Sequence, residues 1–237
     1  MELQYKVSVK NGAGWRAFPD VQLLISVGQP YHEGPKFAAV VAWLRQQQRK
    51  TVHVAVNDTL QRWNSVAEGV DEKRAFADAE LAGQKWIGSH ADILASFQTV
   101  SASLTTPSVS VTRWREWLEH PGYAAAKACV DEIVSDTRNG LSDILKRDSA
   151  NILKRREKTV SNREKFLVCS GEYIREEIAV LALQHADKPR ADIYPGTMLK
   201  SIEWFRTAPQ TLPPELEPLR HRYSCRIDFK RIEPKPA

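Results

Sequence analysis

The segment Val21-Gln-Leu-Leu-Ile-Ser26-Val-Gly28-Gln29-Pro30-Tyr-His-Glu-Gly34-Pro35-Lys-Phe37-Ala-Ala-Val40-Val41-Ala-Trp-Leu44, with its continuation Thr51-Val-His-Val-Ala-Val56, decides the fold class. Val21 to Ser26 is a short apolar run with a polar end, the pattern of a buried strand. Gly28, Pro30, Gly34 and Pro35 then mark a loop, and Pro35 suits the first turn of a helix. Phe37, Val40, Val41 and Leu44 recur at i, i+3, i+4 and i+7, which is one helical face. Thr51 to Val56 is β-branched and apolar, a second buried strand. Strand, loop, helix and strand in this order make a βαβ unit, which implies parallel pairing and a right-handed crossover.

The flanking sequence extends the same architecture. Tyr5 to Val9 alternates as a strand does, and Ser108 to Thr112 is a further strand candidate. Asp71 to Phe97 reads mostly helical, with Gly83 as a weak point. A helical stretch starts at Trp114, Trp117 and Leu118 and runs, with breaks, to about Lys158. Asn162 to His185 reads as one long helix with Phe166, Ile174, Ile178 and Leu181 on its apolar side. Ala191 to Tyr194 is a short strand stopped by Pro195, and Thr197 to Phe205 is again helical. Leu212-Pro-Pro-Glu-Leu is a turn region. Tyr223, Cys225, Ile227 and Phe229 alternate with polar residues, as in a half-exposed terminal strand. The expected fold is therefore α/β: one Rossmann-like domain over residues 1–237, with a mainly parallel sheet flanked by helices.

Composition narrows the function classes. Hydrophobic residues make up 42% and charged residues 27% of 237, as in an ordinary globular domain. No apolar run approaches the roughly 20 residues of a membrane span, and the first residues lack the apolar core of a signal peptide. A cytoplasmic protein is expected. Cys129, Cys169 and Cys225 are scattered, with no Cys-x-x-Cys or Cys/His spacing, so no metal site is expected. The net charge is +5, a weak pointer to a polyanionic partner. The stretch from Arg138 to Lys165 carries an excess of positive charge numerically equal to that whole. A solvated helix face with intrahelical ion pairs explains that stretch equally well.

Several residues have the chemistry of a site. Ser26 ends the first strand of the βαβ unit, and in open α/β sheets ligands bind outside the carboxyl ends of strands. Taken alone, a serine there more often closes a turn, and the hydrolase elbow Gly-x-Ser-x-Gly is not matched because Leu24 replaces the first glycine. Gly28 allows backbone to approach a ligand closely. Tyr173 and Glu177 stand at i and i+4 on the long helix and share a face, with Arg175 and Glu176 directed elsewhere. A phenol and a carboxylate so placed can hold an amino group, or form a surface pair. Tyr194 is kept extended by Pro195. No pattern joins the six histidines to Ser26 as a triad. There is no phosphate-binding glycine loop and no dinucleotide fingerprint. Thr197-Met-Leu-Lys-Ser201 lacks the first lysine of the Lys-Met-Ser-Lys-Ser motif of class I aminoacyl-tRNA synthetases. No ATP use is expected.

These signals occur in one order. Ile25-Ser-Val-Gly-Gln-Pro-Tyr-His-Glu-Gly34, Val54-Ala-Val-Asn-Asp-Thr-Leu-Gln-Arg-Trp-Asn64, Arg113-Trp-Arg-Glu-Trp117, Tyr173-Ile-Arg-Glu-Glu-Ile178 and Ile193-Tyr-Pro-Gly196 together resemble the tRNA-dependent cyclodipeptide synthases, over about residues 20 to 206. The resemblance implies a fold similar to the catalytic domain of tyrosyl- and tryptophanyl-tRNA synthetases, and an aminoacyltransferase that draws on two aminoacyl-tRNAs without ATP, metal or other cofactor. It places the nucleophile on Ser26, the amino-group contacts on Tyr173 and Glu177, and the strand-end tyrosine on Tyr194. Gln29 and Tyr194-Pro195 resemble the branch called XYP, with Gly28, Gln29 and Pro195 beside the substrate. Lys73, Arg74, Lys85, Arg155 and Arg156 are the candidates for tRNA phosphate contacts, and a monomer is expected. Two other readings stay open: a serine hydrolase or acyltransferase that uses no tRNA and needs a nearby histidine base, and a non-catalytic tRNA-binding relative.

Overall fold

The computed structural model describes residues 4–98, 107–156, 161–186, 188–196, 198–208 and 211–232, with the side chains of Gln98 and Arg156 outside that set. Its sheet has six strands: β1 (Tyr5–Val9), β2 (Asp20–Ser26), β3 (Thr51–Asn57), β4 (Ser108–Arg113), β5 (Ala191–Tyr194) and β6 (Tyr223–Arg231), in the spatial order β1-β6-β5-β2-β3-β4. β2 pairs with β3 and β5, β3 with β4, and β5 with β6, all parallel; β1 is antiparallel to β6. Helix α1 (Gly34–Arg45) crosses from β2 to β3 with Phe37, Val40, Val41 and Leu44 all buried, as its spacing requires.

The chain lays β3 and β4 on one side of β2, then returns to lay β5 and β6 on the other. Strand order therefore reverses between β2 and β5, and open α/β sheets bind ligands at such a reversal. The carboxyl ends of those two strands carry Ser26 and Tyr194.

Alternation along the strands feeds two cores. Leu23, Ile25, Val54 and Val56 face α1, α3 (Glu72–Ser89) and α4 (Ala91–Ala95), where Phe37, Trp86 and Leu94 meet them. Leu24 and Ala55 face the opposite layer, built from α6 (Tyr123–Ser135), α7 (Leu141–Arg156), α8 (Arg163–Ala186) and α9 (Lys200–Thr207). Phe166, Ile174, Ile178 and Leu181 are buried on α8, but so are Cys169, Ala179, Val180 and Ala182. Helix α8 is thus enclosed on more sides than a one-stripe reading predicts, as befits the central helix of its layer.

The expectations from Lys158 and Thr197 fall outside the described residues, and α9 starts at Lys200. The short helices α2 (Arg62–Ala67) and α5 (Trp114–Leu118) flank α8; α5 lies where the helical stretch from Trp114 is expected, whereas α2 has no counterpart among the expected elements between the second βαβ strand and Asp71. Gly83 does not weaken α3, which runs through it unbroken. Asp58 lies against this glycine, so a Cβ there would sit 2.0 Å from Asp58 Oδ2. Asp58 accepts a 2.7 Å hydrogen bond from Arg113 Nε, which anchors β4 to the loop after β3.

Gly83→Ala should therefore lower unfolding stability by about 1–3 kcal/mol through overpacking. Gly88→Ala lies on the same helix with open space around it. It should leave stability unchanged or raise it by up to ~1 kcal/mol. Denaturant titration of both variants checks the contrast; equal effects would mean that Asp58 moves freely.

Candidate active site

A cavity of about 360 Å³ opens at the strand reversal, within the roughly 300–1,000 Å³ of small-molecule sites. Ser26, Gln29, Tyr31, Asn57, Tyr173, Glu177 and Tyr194 all line it. Five of the seven come from the ends of β2, β3 and β5 and the loop after β2, and two from α8. Gly28 and Pro195 stand beside the cavity without lining it. Gly28 has φ +83°, a left-handed turn that glycine adopts without strain, and this turn delivers Gln29 and Tyr31 to the rim.

Ser26 Oγ lies 3.2 Å from the Tyr194 hydroxyl, which lies 2.9 Å from the Tyr31 hydroxyl. The result is a chain of three hydroxyls. Burial raises the pKa of both phenols, so they stay protonated at neutral pH. Gly196 backs this chain, since a Cβ there would meet the Tyr194 ring at 2.2 Å. His32 is the imidazole nearest in sequence, yet it does not serve Ser26 Oγ. Its Nδ1 accepts a 2.9 Å hydrogen bond from the Ser26 backbone N–H, and burial lowers its pKa to about 3. The ring is neutral and fixes the strand end. Trp86 Nε1 donates to the His32 carbonyl at 3.0 Å, locking this support from α3.

On α8, the Tyr173 hydroxyl accepts a 3.3 Å hydrogen bond from Gln61 Nε2, and burial raises its pKa well above the ordinary value. Glu177 makes no hydrogen bond or ion pair to the described residues. Burial raises its pKa to about 7, with Arg222 pulling it down and Asp192 pushing it up. The neighbouring Glu176 points to a different side of α8, about 100° round the helix. It accepts from Arg62 Nη1 at 2.8 Å, Trp114 Nε1 at 2.8 Å and Trp63 Nε1 at 3.2 Å. Beneath Glu177 lies a buried polar cluster in which Asp192 takes hydrogen bonds from Gln22 and Arg222 and sits 3.1 Å from His185 Nε2. Burial alone would raise the Asp192 pKa, but Arg222 and His185 outweigh it and hold the carboxylate ionised.

The structure thus brings Ser26, Gln29, Tyr173, Glu177 and Tyr194 to one cavity. Among the expected phosphate contacts, Arg155 lines it. Lys73, Arg74 and Lys85 are exposed on α3, away from the lining, and Arg74 pairs with Asp78 at 3.6 Å. The side chain of Arg156 lies outside the described residues. Elsewhere in the basic stretch Lys146 pairs with Asp143 and Arg138 with Asp136, so part of that charge is neutralised within its own turn. Sequence reasoning missed Tyr31, Asn57 and Gln61. Asn57 was within reach of the strand-end rule that found Ser26, because it is the last residue of the neighbouring strand.

No family model and no curated protein sequence matches the chain. Solved structures do. A cyclodipeptide synthase (CDPS) from Fluoribacter dumoffii superposes with TM-score 0.80 at 21% identity, covering 97% of this chain and 100% of that one. A cyclodipeptide synthase from Candidatus Glomeribacter gigasporarum, bound to Phe-tRNA, gives 0.62 at 17% identity over 92% and 91%. A Mycobacterium tuberculosis protein gives 0.67 at 13% identity over 97% and 95%, and its structure was described as demonstrating that cyclodipeptide synthetases are related to type I tRNA synthetases. The chain has this fold over nearly its whole length.

Glu177 sets a pH signature of its own. Its folded pKa lies above the ordinary 4.5, so the folded state holds the proton more tightly than the unfolded chain does. Stability therefore falls as pH rises from about 4.5 to about 7 and then levels off. Glu177→Gln should raise the melting temperature more at pH 8 than at pH 5. An equal gain at both pH values would mean that the carboxylate is not held in a desolvated site.

Proposed function

We propose that the chain is a cyclodipeptide synthase, which joins the aminoacyl groups of two aminoacyl-tRNAs into a 2,5-diketopiperazine through a Ser26 acyl-enzyme. The observation that carries this reading is the meeting of Ser26, Tyr194, Tyr173 and Glu177 on one cavity, in a fold shared with cyclodipeptide synthases. Gln29 and the Tyr194-Pro195 pair resemble the XYP branch, and the proposal takes the chain as similar to it.

The chemistry follows from the residues. Ser26 Oγ attacks the ester carbonyl of the first aminoacyl-tRNA. The bond from that carbonyl to the ribose oxygen breaks, the serine proton ends on the ribose oxygen, and the first tRNA leaves. Tyr194 and Tyr31, kept protonated by burial, hold the serine hydroxyl and the proton in transit. Glu177 and Tyr173 receive the α-amino group. A carboxylate whose pKa is about 7 binds an ammonium as an anion and can take its proton at neutral pH, which frees the amine to attack. That amine attacks the second aminoacyl ester, giving a dipeptidyl-enzyme and the second free tRNA. The terminal amine then attacks the Ser26 ester, closes the ring and restores the hydroxyl. Both tRNA esters are activated beforehand, so ATP has no step to drive. Covalent attachment makes each later attack effectively unimolecular.

Arg155 at the cavity rim is the cation best placed for the tRNA acceptor end, through its phosphates. The hydrolase reading requires an imidazole at Ser26 Oγ, and His32 binds the Ser26 backbone instead. The observation therefore favours acyl groups that arrive as activated esters.

Incubation with charged total tRNA, followed by mass spectrometry, should yield diketopiperazines, and the intact protein should gain one aminoacyl mass. Ser26→Ala should abolish both while leaving the fold and tRNA binding unchanged. Product from Ser26→Ala, or none from the parent, would sink the reading. Arg155→Ala should weaken binding of every tRNA alike and reduce the slope of log affinity against log salt by about 0.7–0.9, as for one lost phosphate contact. An unchanged slope would return Arg155 to the solvent.

A further inference from the structure

The carboxamide of Asn57 is a buried polar group at the cavity whose oxygen has no partner among the described residues. Asn57 is the last residue of β3 and the register partner of Ser26 at the end of β2. Partnered residues on parallel strands share a face, so both side chains project toward the α8 layer. Both line the cavity. Asn57 is only 2% exposed, yet its Oδ1 has no hydrogen-bond partner among the described residues. A buried amide is almost always paired, because an unmade hydrogen bond costs its full desolvation. The neighbours show that pairing is available here. Gln61 Oε1 accepts from Asn64, and Gln61 Nε2 donates to the Asn57 backbone carbonyl and to Tyr173. The side chain of Asn57 alone in this row is left over, and it faces the space beside the serine.

Two backbone donors at that place are already engaged: the Ser26 N–H donates to His32, and the Gln29 N–H donates to the Ser26 carbonyl. The Asn57 carboxamide is a side-chain group there with hydrogen-bonding capacity to spare for an acyl group loaded on Ser26. Resting on the acyl-enzyme reading above, we infer that Asn57 is a substrate-contacting residue whose carboxamide hydrogen-bonds the aminoacyl group esterified to Ser26. Two parts of that group have the needed chemistry: the reacting carbonyl oxygen, which gains negative charge in the transition state, and a polar amino-acid side chain. The carboxamide serves either as donor or as acceptor, since its two ends exchange by a flip. The site is unlike the ammonium site, which pairs a phenol with a carboxylate.

The test is single-turnover acyl-enzyme formation, read by intact-protein mass, for the parent, Asn57→Ala and Asn57→Val with total tRNA charged with each amino acid in turn. Contact with the carbonyl oxygen predicts a uniform loss of about 10²–10³-fold for every accepted amino acid. Contact with a side chain predicts a loss confined to polar amino acids, with apolar ones gained in Asn57→Val. In either case tRNA affinity stays unchanged and the melting temperature holds or rises, because the removed amide had no partner in the fold. Rates within threefold of the parent for all amino acids would overturn the inference. So would a lowered melting temperature with rates lost only in proportion to unfolded protein, since that is the mark of a structural amide. A parent that forms no acyl-enzyme would instead overturn the underlying reading, so the two failures are told apart.

Discussion

The carboxylate of Glu176 and its partners set the geometry on which the cavity depends. Arg62 and Trp63 come from α2, Trp114 from α5, and all three converge on one buried side chain of α8. Arg62 also lies over the Trp63 ring at 4.6 Å. Removing one partner of a buried ion pair leaves an uncompensated charge, typically worth about 3–5 kcal/mol. This contact therefore fixes the rotation of α8 about its axis as well as its position. Because 3.6 residues make a turn, fixing Glu176 on the α2 side dictates that Tyr173 and Glu177 face the strand ends. Two adjacent glutamates thus meet opposite fates. One is neutralised by a guanidinium and hydrogen-bonded by two indoles; the other is half-buried in the cavity wall, pairs with no cation among the described residues and is pushed up to about 7.

A second constraint holds the other wall. Ser26 could not stay at a fixed height if the backbone after β2 were loose. His32 prevents this by accepting the Ser26 N–H while Trp86 secures the His32 carbonyl. The histidine therefore contributes rigidity rather than base strength, and its neutrality is what lets it accept. The two walls are built by different layers of the sheet, with α1 and α3 supporting Ser26 and α2, α5 and α8 supporting Glu177. They face each other across the strand reversal, where the cavity opens.

Most of this architecture was legible in the sequence, for physical reasons that differ by element. The βαβ unit declared itself because a buried strand and a one-faced helix have different apolar periods. Ser26 and Tyr194 stand at strand ends and Tyr173 and Glu177 share a helical face, but taken alone they read more readily as a turn residue, a packed aromatic and a surface pair, and it was the resemblance that gave them roles. The less legible parts depend on contacts between distant segments. Nothing local to Gly83 shows that Asp58 will occupy the space of its missing side chain. Nothing local to Glu176 distinguishes it from Glu177 as the paired one beyond its different direction from the helix. The cations of α3 looked equivalent to Arg155 in a charge count, yet Arg155 is the one whose helix brings it to the cavity rim. Asn57 and Tyr31 were overlooked although the rule that selected Ser26 applies to both neighbourhoods.

The distribution of unmet polar groups argues for the kind of chemistry the cavity suits. A serine hydroxyl beside two protonated phenols, with no imidazole on its oxygen, is a weak nucleophile by itself. Such a group acylates readily only when the incoming acyl carbon is already activated and is held in line for attack. An aminoacyl ester of a ribose hydroxyl fits that need, and it also brings a positively charged amine for the unpaired Glu177. The same carboxylate has a second use once it is near pH 7. Bound to an ammonium it is a partner, and after taking the proton it leaves a free amine within reach of the next ester. On the proposed reading, the lack of a strong base at Ser26 among the described residues and the tuned carboxylate at Glu177 are two halves of one design: the ester arrives activated, and the protein needs only to manage the amine.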